Sequence, residues 1–202
     1  MSEPSGKRLK TSFPICKTHR AIIGTRVKQN FPTVVEESIC GVTTLLMEVA
    51  YRLEALAKIF EQDDNALPRF AAFFHQESEK EQRQAEAMLD YLMERGGQYC
   101  NKDIQKPGYE GVCTVLQALD LTLAQWKEVM AIMVELIQCA KERGDPHTAS
   151  VVKSSFLGPL IPKVKTLGDL LTNARRLGCT HDRTGGLGEY LMDRLQEELA
   201  GI

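Results

Sequence analysis

The chain is poor in the features that would place it in several functional classes. Its six cysteines (Cys16, Cys40, Cys100, Cys113, Cys139, Cys179) are far apart and never form a CxxC pair. No apolar segment of the kind that heads a secretory signal accompanies them, so a disulfide scaffold is not expected and the setting reads as reducing and cytoplasmic. The four histidines (His19, His75, His147, His181) are equally scattered, which excludes a zinc cluster. No run approaches the ~20 apolar residues of a membrane span. The net charge is -2, with both signs spread along the chain. Nucleic-acid binding needs a concentrated basic face, so it is not expected as the main activity.

What is present is a long chain with an apolar stripe. At 202 residues and 43% apolar composition it can bury one ordinary core. Residues 1–30 mix Ser, Gly, Pro and Thr with Lys7, Arg8, Lys10, Lys17, Arg20, Arg26 and Lys28 and show no lasting period, so they are expected to be a mobile basic tail. Lys7-Arg8-Leu9-Lys10 could serve as an address signal, but such short clusters also arise by chance. Residues 31–202 then form the expected domain.

The periodicity predicts five helices. The first runs from about Thr33 to Phe60, just after Pro32, with Leu46, Val49, Ala50, Leu53, Leu56 and Phe60 on one stripe. A turn at Gln62-Asp63-Asp64-Asn65 leads to the second, Phe70 to Met93, which stops at Arg95-Gly96-Gly97. A long connection over residues 98–112 crosses to a third helix, Thr114 to Arg143. Gly144-Asp145-Pro146 turns the chain into a fourth, His147 to Leu177, in which Pro159 and Pro162 each remove a backbone donor and predict a kink or break. A short fifth helix, from Leu187 to about Leu199, closes the chain.

The second helix carries the most informative pattern. Its inward stripe of Phe70, Phe73, Phe74, Met88, Tyr91 and Leu92 also passes through Glu77, Glu81 and Gln84, placing a polar patch inside an apolar seam. Such carboxylates are costly unless they find a donor or a proton.

Several segments carry a resemblance. Val27-Lys28-Gln29-Asn30-Phe31, Asp63-Asp64-Asn65-Ala66-Leu67, Arg95-Gly96-Gly97 with Asp103-Ile104-Gln105-Lys106-Pro107, Asp145-Pro146-His147, Leu167 to Asn173 and Gly186 to Leu191 resemble the animal ferritin subunit, in the family's order and spacing. The resemblance covers about Val27 to Leu195. It implies an all-α, ferritin-like four-helix bundle with a long crossover and a short fifth C-terminal helix. It also implies a subunit of a hollow shell of about twenty-four copies, homo-oligomeric or mixed with heavy- or light-type subunits, that stores iron as a ferric mineral.

The heavy-type subunits of that family oxidise Fe(II) at a di-iron site made by a Glu, a Glu-x-x-His, a second Glu and a Gln. On this sequence those positions fall at Leu46, at Glu81 and Gln84, at Trp126 and at Leu160. Only Glu81 keeps its type. One carboxylate beside an amide cannot bridge two hard iron ions, so no ferroxidase activity and no intact di-iron centre are expected. Gln84 and the indole N–H of Trp126 are the expected donors to Glu81. A site rebuilt from Glu77, Glu81 and Glu48 is disfavoured, because Glu48 lies two residues from the inward Leu46 and so points about 200° away.

Other sites implied by the resemblance are also altered. Glu79 and Glu86 remain on the side that faces the mineral, alongside Glu77, but Lys80 and Arg83 interrupt the acidic patch, so any iron contact there is weak. The channel residues of the shell's three-fold axis fall at Ser150 and Lys153, and a ring of lysines would repel Fe(II). Leu187, Leu191 and Leu195 give the fifth helix an apolar face that favours assembly. The alternative reading is a degenerate relative that has left iron and acts as a structural or interaction protein.

Overall fold

A computed structural model describes residues 25–99, 103–105, 108–109, 111–182, 184 and 186–195, the side chain at 195 excepted. Most of the basic tail, Cys16 and Cys100 lie outside them. Every element among the described residues is helical: α1 (Thr33–Glu61), α2 (Pro68–Glu94), α3 (Val115–Glu142), α4 (Pro146–Val151), a π-helical segment (Val152–Leu157), α5 (Gly158–Arg176) and α6 (Gly186–Leu195). The short turn at 62–67 makes α1 and α2 antiparallel neighbours, and theirs is the most extensive pairing in the molecule. The crossover leads to α3, which packs on α1 and on α4, the π segment and α5. This is the expected four-helix bundle with its fifth helix at one end.

The core forms where the stripes meet. Leu46, Val49, Leu53, Leu56 and Phe60 of α1 are buried against Phe70, Phe74, Met88 and Leu92 of α2. Phe60 contacts both Phe70 and Phe74, with ring centroids 6.1 and 5.6 Å apart. From α3 come Leu119, Trp126, Met133 and Leu136, and from α5 Leu160, Leu167 and Leu171.

The fourth predicted helix does not break at its prolines. Backbone dihedrals stay right-handed helical through Val151, Val152, Leu157 and Gly158, and the register widens instead. Gly158 donates its N–H to the carbonyl of Lys153, five residues back. Pro159 has no N–H to place in an i→i−4 ladder, and its ring would crowd the carbonyl four residues earlier; the wider π turn removes that conflict and lets the helix continue.

Helix ends are closed partly from a distance. Thr114 and Asp145 cap α3 and α4 with their own side chains, accepting from Gln117 N at 3.2 Å and Thr148 N at 3.1 Å. The start of α2 has no side-chain cap of its own. Asp193 of α6 supplies it, accepting from the N–H groups of Arg69 at 2.9 Å and Phe70 at 3.0 Å. Glu189, one turn earlier on α6, accepts from Val115 N at 2.8 Å. The fifth helix thus closes the first turns of two others.

At the opposite end Gly96 takes a left-handed φ of 72° and donates to Met93 O at 2.9 Å. A Cβ there would lie 2.8 Å from the backbone N of Lys28. Glycine therefore satisfies both the turn and the close passage of the N-terminal strand of chain. Arg95 beside it is a hub. Its guanidinium donates to Tyr91 Oη at 2.6 Å, Thr148 Oγ1 at 3.0 Å, Asp145 Oδ1 at 3.2 Å and Asn30 O at 2.9 Å. Burial works against the Asp145 carboxylate, but hydrogen bonds from the Thr148 hydroxyl and amide and from Arg95 outweigh it and hold its pKa below the usual range.

Candidate functional site

The inward-facing carboxylates of α2 are buried, Glu81 at 1% and Glu77 at 6% exposure, so they need cationic or hydrogen-bonding partners. The partner is Lys163 of α5. Its ammonium donates to Glu81 Oε1 at 2.8 Å and lies 3.0 Å from Glu77 Oε2, close enough for an ion pair though outside hydrogen-bond geometry. Lys80, one turn along α2, holds the other oxygen of Glu77 at 2.8 Å. The indole ring of Trp126 is a further neighbour, its centroid 5.3 Å from the Lys163 ammonium. Burial opposes the charge on Lys163, but attraction to Glu81 and then Glu77 outweighs it, so Lys163 holds its proton above the ordinary lysine range.

The expected donors to Glu81 are therefore corrected. Among the described residues Gln84 makes no hydrogen bond to it, and the Trp126 indole nitrogen is buried with no acceptor. The physical reason is charge: a lysine that can reach two carboxylates neutralises both, whereas an amide or an indole N–H would leave them ionised and unpaired. Sequence reasoning missed Lys163, although its spacing carried a signal. Leu160, Lys163, Leu167 and Leu171 follow three- and four-residue steps on the inward stripe of α5, and a lysine on such a stripe calls for a buried acid across the seam.

Leu46, Glu81, Gln84, Met133 and Leu160 line a cleft of about 230 Å³ together with Lys163. Trp126 borders a second cleft, which Lys163 also lines. The structure thus brings four of the five positions singled out by the resemblance to one cleft and the fifth, Trp126, beside Lys163. Glu48 is not brought into that group: it pairs with Arg52 at 3.9 Å and accepts from Gln105 N at 3.3 Å.

Elsewhere on α2 the acidic side chains are exposed and engaged. Glu79 pairs with Arg83 at 2.9 Å and lies 3.6 Å from His75, while Glu86 accepts from Gln82 at 3.4 Å. His75 also meets Glu54 at 2.7 Å, and that hydrogen bond with its charge raises the imidazole pKa. Ser150 and Lys153 are exposed near the start of the fourth helix. Leu187 and Leu191 of α6 are exposed at 73% and 37%; the side chain of Leu195 lies outside the described residues.

Comparison with known proteins agrees with this architecture. The family profile described as "Ferritin-like domain" matches residues 42–177. The chain is 31% identical over 170 residues to the ferritin middle subunit of Aquarana catesbeiana, an alignment spanning 84% of this chain and 95% of that one. It is 32% identical over 176 residues to ferritin light chain 1 of Rattus norvegicus, spanning 85% and 96%. Soma ferritin of Lymnaea stagnalis is 31% identical over 170 residues, spanning 84% and 94%. This chain belongs to the ferritin family.

Within that family, which stores iron, the resemblance assigns ligand positions to five residues of this chain. Three of the positions expected to supply ligands are Leu46, Trp126 and Leu160, none of which offers an oxygen or imidazole nitrogen. The Lys163 ammonium lies between Glu81, the one carboxylate at those positions, and the neighbouring Glu77. Among the described residues no three His, Cys, Asp or Glu side chains converge in a way that could hold a metal ion.

Proposed function

We propose that the chain is a subunit of an intracellular iron-storage shell that does not oxidise Fe(II) by itself. Its iron arrives as ferric mineral formed through heavy-type subunits in the same shell. The observation that carries this reading is Lys163, whose ammonium lies within 3.0 Å of both Glu81 and Glu77. A tethered cation there supplies the charge neutralisation that metal would otherwise bring, but it cannot change oxidation state or bind oxygen. Trp126 and Leu160 complete the exchange of ligands for packing, so the bundle keeps its shape while losing a reactive centre.

Assembly is supported by the relatives, named as subunits and chains, and by the exposed Leu187 and Leu191 on α6. A cytoplasmic location agrees with the scattered cysteines, and no described helix is long and apolar enough to cross a membrane. Glu77 and Glu81 are committed to Lys163, and Glu79 is paired with Arg83. Glu86 alone of the four acids has no cationic neighbour among its described contacts, so direct cavity-side iron binding by this chain is weak.

One observation favours a second reading, an interaction protein that no longer meets iron. Lys153 stands exposed where the resemblance places a cation-attracting channel residue. The two readings separate on purified protein by mass in solution, followed by Fe(II) addition in air with and without a heavy-type partner. A shell that gains mineral only with the partner supports the storage reading. A monomer or dimer that takes up no iron under either condition supports the second.

A further inference from the structure

The cleft beyond Lys163, between α2 and α5, has a volume of about 240 Å³ and a composition unlike the first. Its apolar lining comes from Phe73 of α2, Trp126 of α3 and Pro159, Pro162 and Leu167 of α5. An apolar cavity of about 150 Å³ suffices for benzene, so this space admits an aromatic ring with a short substituent.

The charges at its edge are arranged by depth. The side chain of Glu77 is 8% exposed and that of Glu81 2%, whereas the lysines paired with them are 38% (Lys80) and 20% (Lys163) exposed. The cluster is neutral as a whole, yet the charge an incoming molecule meets first is positive. A cationic ligand would have to displace a lysine from Glu77, whereas an anionic one adds to the ammonium groups already present. The Trp126 indole N–H is buried and has no acceptor among the described residues.

We propose that this cleft binds small aryl monocarboxylates, the ring packed among Phe73, Pro159, Pro162 and Leu167 and the carboxylate directed to Lys80 and Lys163. The site involves no metal and does not rest on the iron-storage reading, so either can fail without the other. Trp126 is the chain's sole tryptophan, which makes its fluorescence a direct report from the wall of the cleft.

The test titrates the full chain, free of iron, with phenylacetate, the neutral phenylacetamide and the cationic phenethylamine. A saturable change in Trp126 emission is expected for phenylacetate, at least about tenfold weaker binding for the amide, and no saturable change for the amine. Lys80→Gln should weaken phenylacetate about fivefold. Thr166→Phe, which fills the cleft, should abolish the response while circular dichroism shows the helices intact. Equal binding of the acid, amide and amine overturns the proposal, as does the absence of any saturable response to phenylacetate or full binding to Thr166→Phe. The three-compound comparison on the unaltered chain decides the matter even if a variant does not fold.

Discussion

Two of the buried ion clusters among the described residues are built on opposite principles. At one end Arg95 gathers backbone carbonyls of the N-terminal segment, the phenol of Tyr91 and the capping Asp145, all of which need partners because helices and chain segments terminate there. In the middle, Lys163 gathers only side chains, Glu81 and Glu77, from continuous stretches of helix where no backbone group is in need. The first cluster solves a problem created by the fold. The second solves one created by its own carboxylates, and apolar residues could replace it without leaving a helix end open.

The largest effect expected from this contrast is at Lys163. Lys163→Met should cost about 3–5 kcal/mol in denaturant unfolding, since it leaves two buried acids without their cation. Changing Glu77 and Glu81 to Gln in the same chain should recover most of that loss, because the demand for a cation goes with them. Recovery of less than about 1 kcal/mol would show that the cluster is structural in the same sense as its counterpart.

Arg95→Ala should cost about 2–3 kcal/mol, and here no second substitution is expected to restore it, because the carbonyl of Asn30 cannot be removed. A partial rescue by Asp145→Asn would erase the distinction. Next in size is Asp193→Ala, expected to cost about 1–2 kcal/mol through the lost remote cap of α2, with faster amide exchange at Arg69 and Phe70. Uniformly faster exchange through the bundle would instead point to loss of α6 docking as a whole.

The smallest effects are in pH dependence, where the clusters fail at opposite ends. Lys163 has a raised pKa, so its contribution is complete below the ordinary lysine value of about 10.4 and is lost as pH rises through its folded value. Asp145 has a lowered pKa, so its contribution is complete above the ordinary carboxylate value of about 3.9 and is lost as pH falls through its folded value. Stability measured against pH should lose part of its alkaline slope in Lys163→Met and part of its acid slope in Asp145→Asn.

The same contrast explains what was legible in the sequence. The helices, the turn at 62–65, the glycine stop after Arg95 and the proline turn at 146 follow from local rules, and they lie within a few residues of where those rules place them. Glu81 could be recognised as a buried acid because it interrupts an apolar stripe. Its partner could not be chosen as easily. Gln84, Trp126 and Lys163 all lie near the seam, and which one reaches Glu81 depends on how α5 packs against α2, which local rules do not give. Two prolines ordinarily predict a break, and only the surrounding packing makes a π turn the better solution. The caps provided by Glu189 and Asp193 were hidden for a similar reason, since they join residues more than seventy positions apart.

We propose that Lys163 stands where a reactive metal would otherwise be held. The most direct test is the initial rate of Fe(II) oxidation in air by the purified chain alone, followed as ferric absorbance per subunit. The slow rate of Fe(II) in buffer, unchanged as protein is added, is the expected result. A rapid, saturable phase that scales with protein concentration would contradict it.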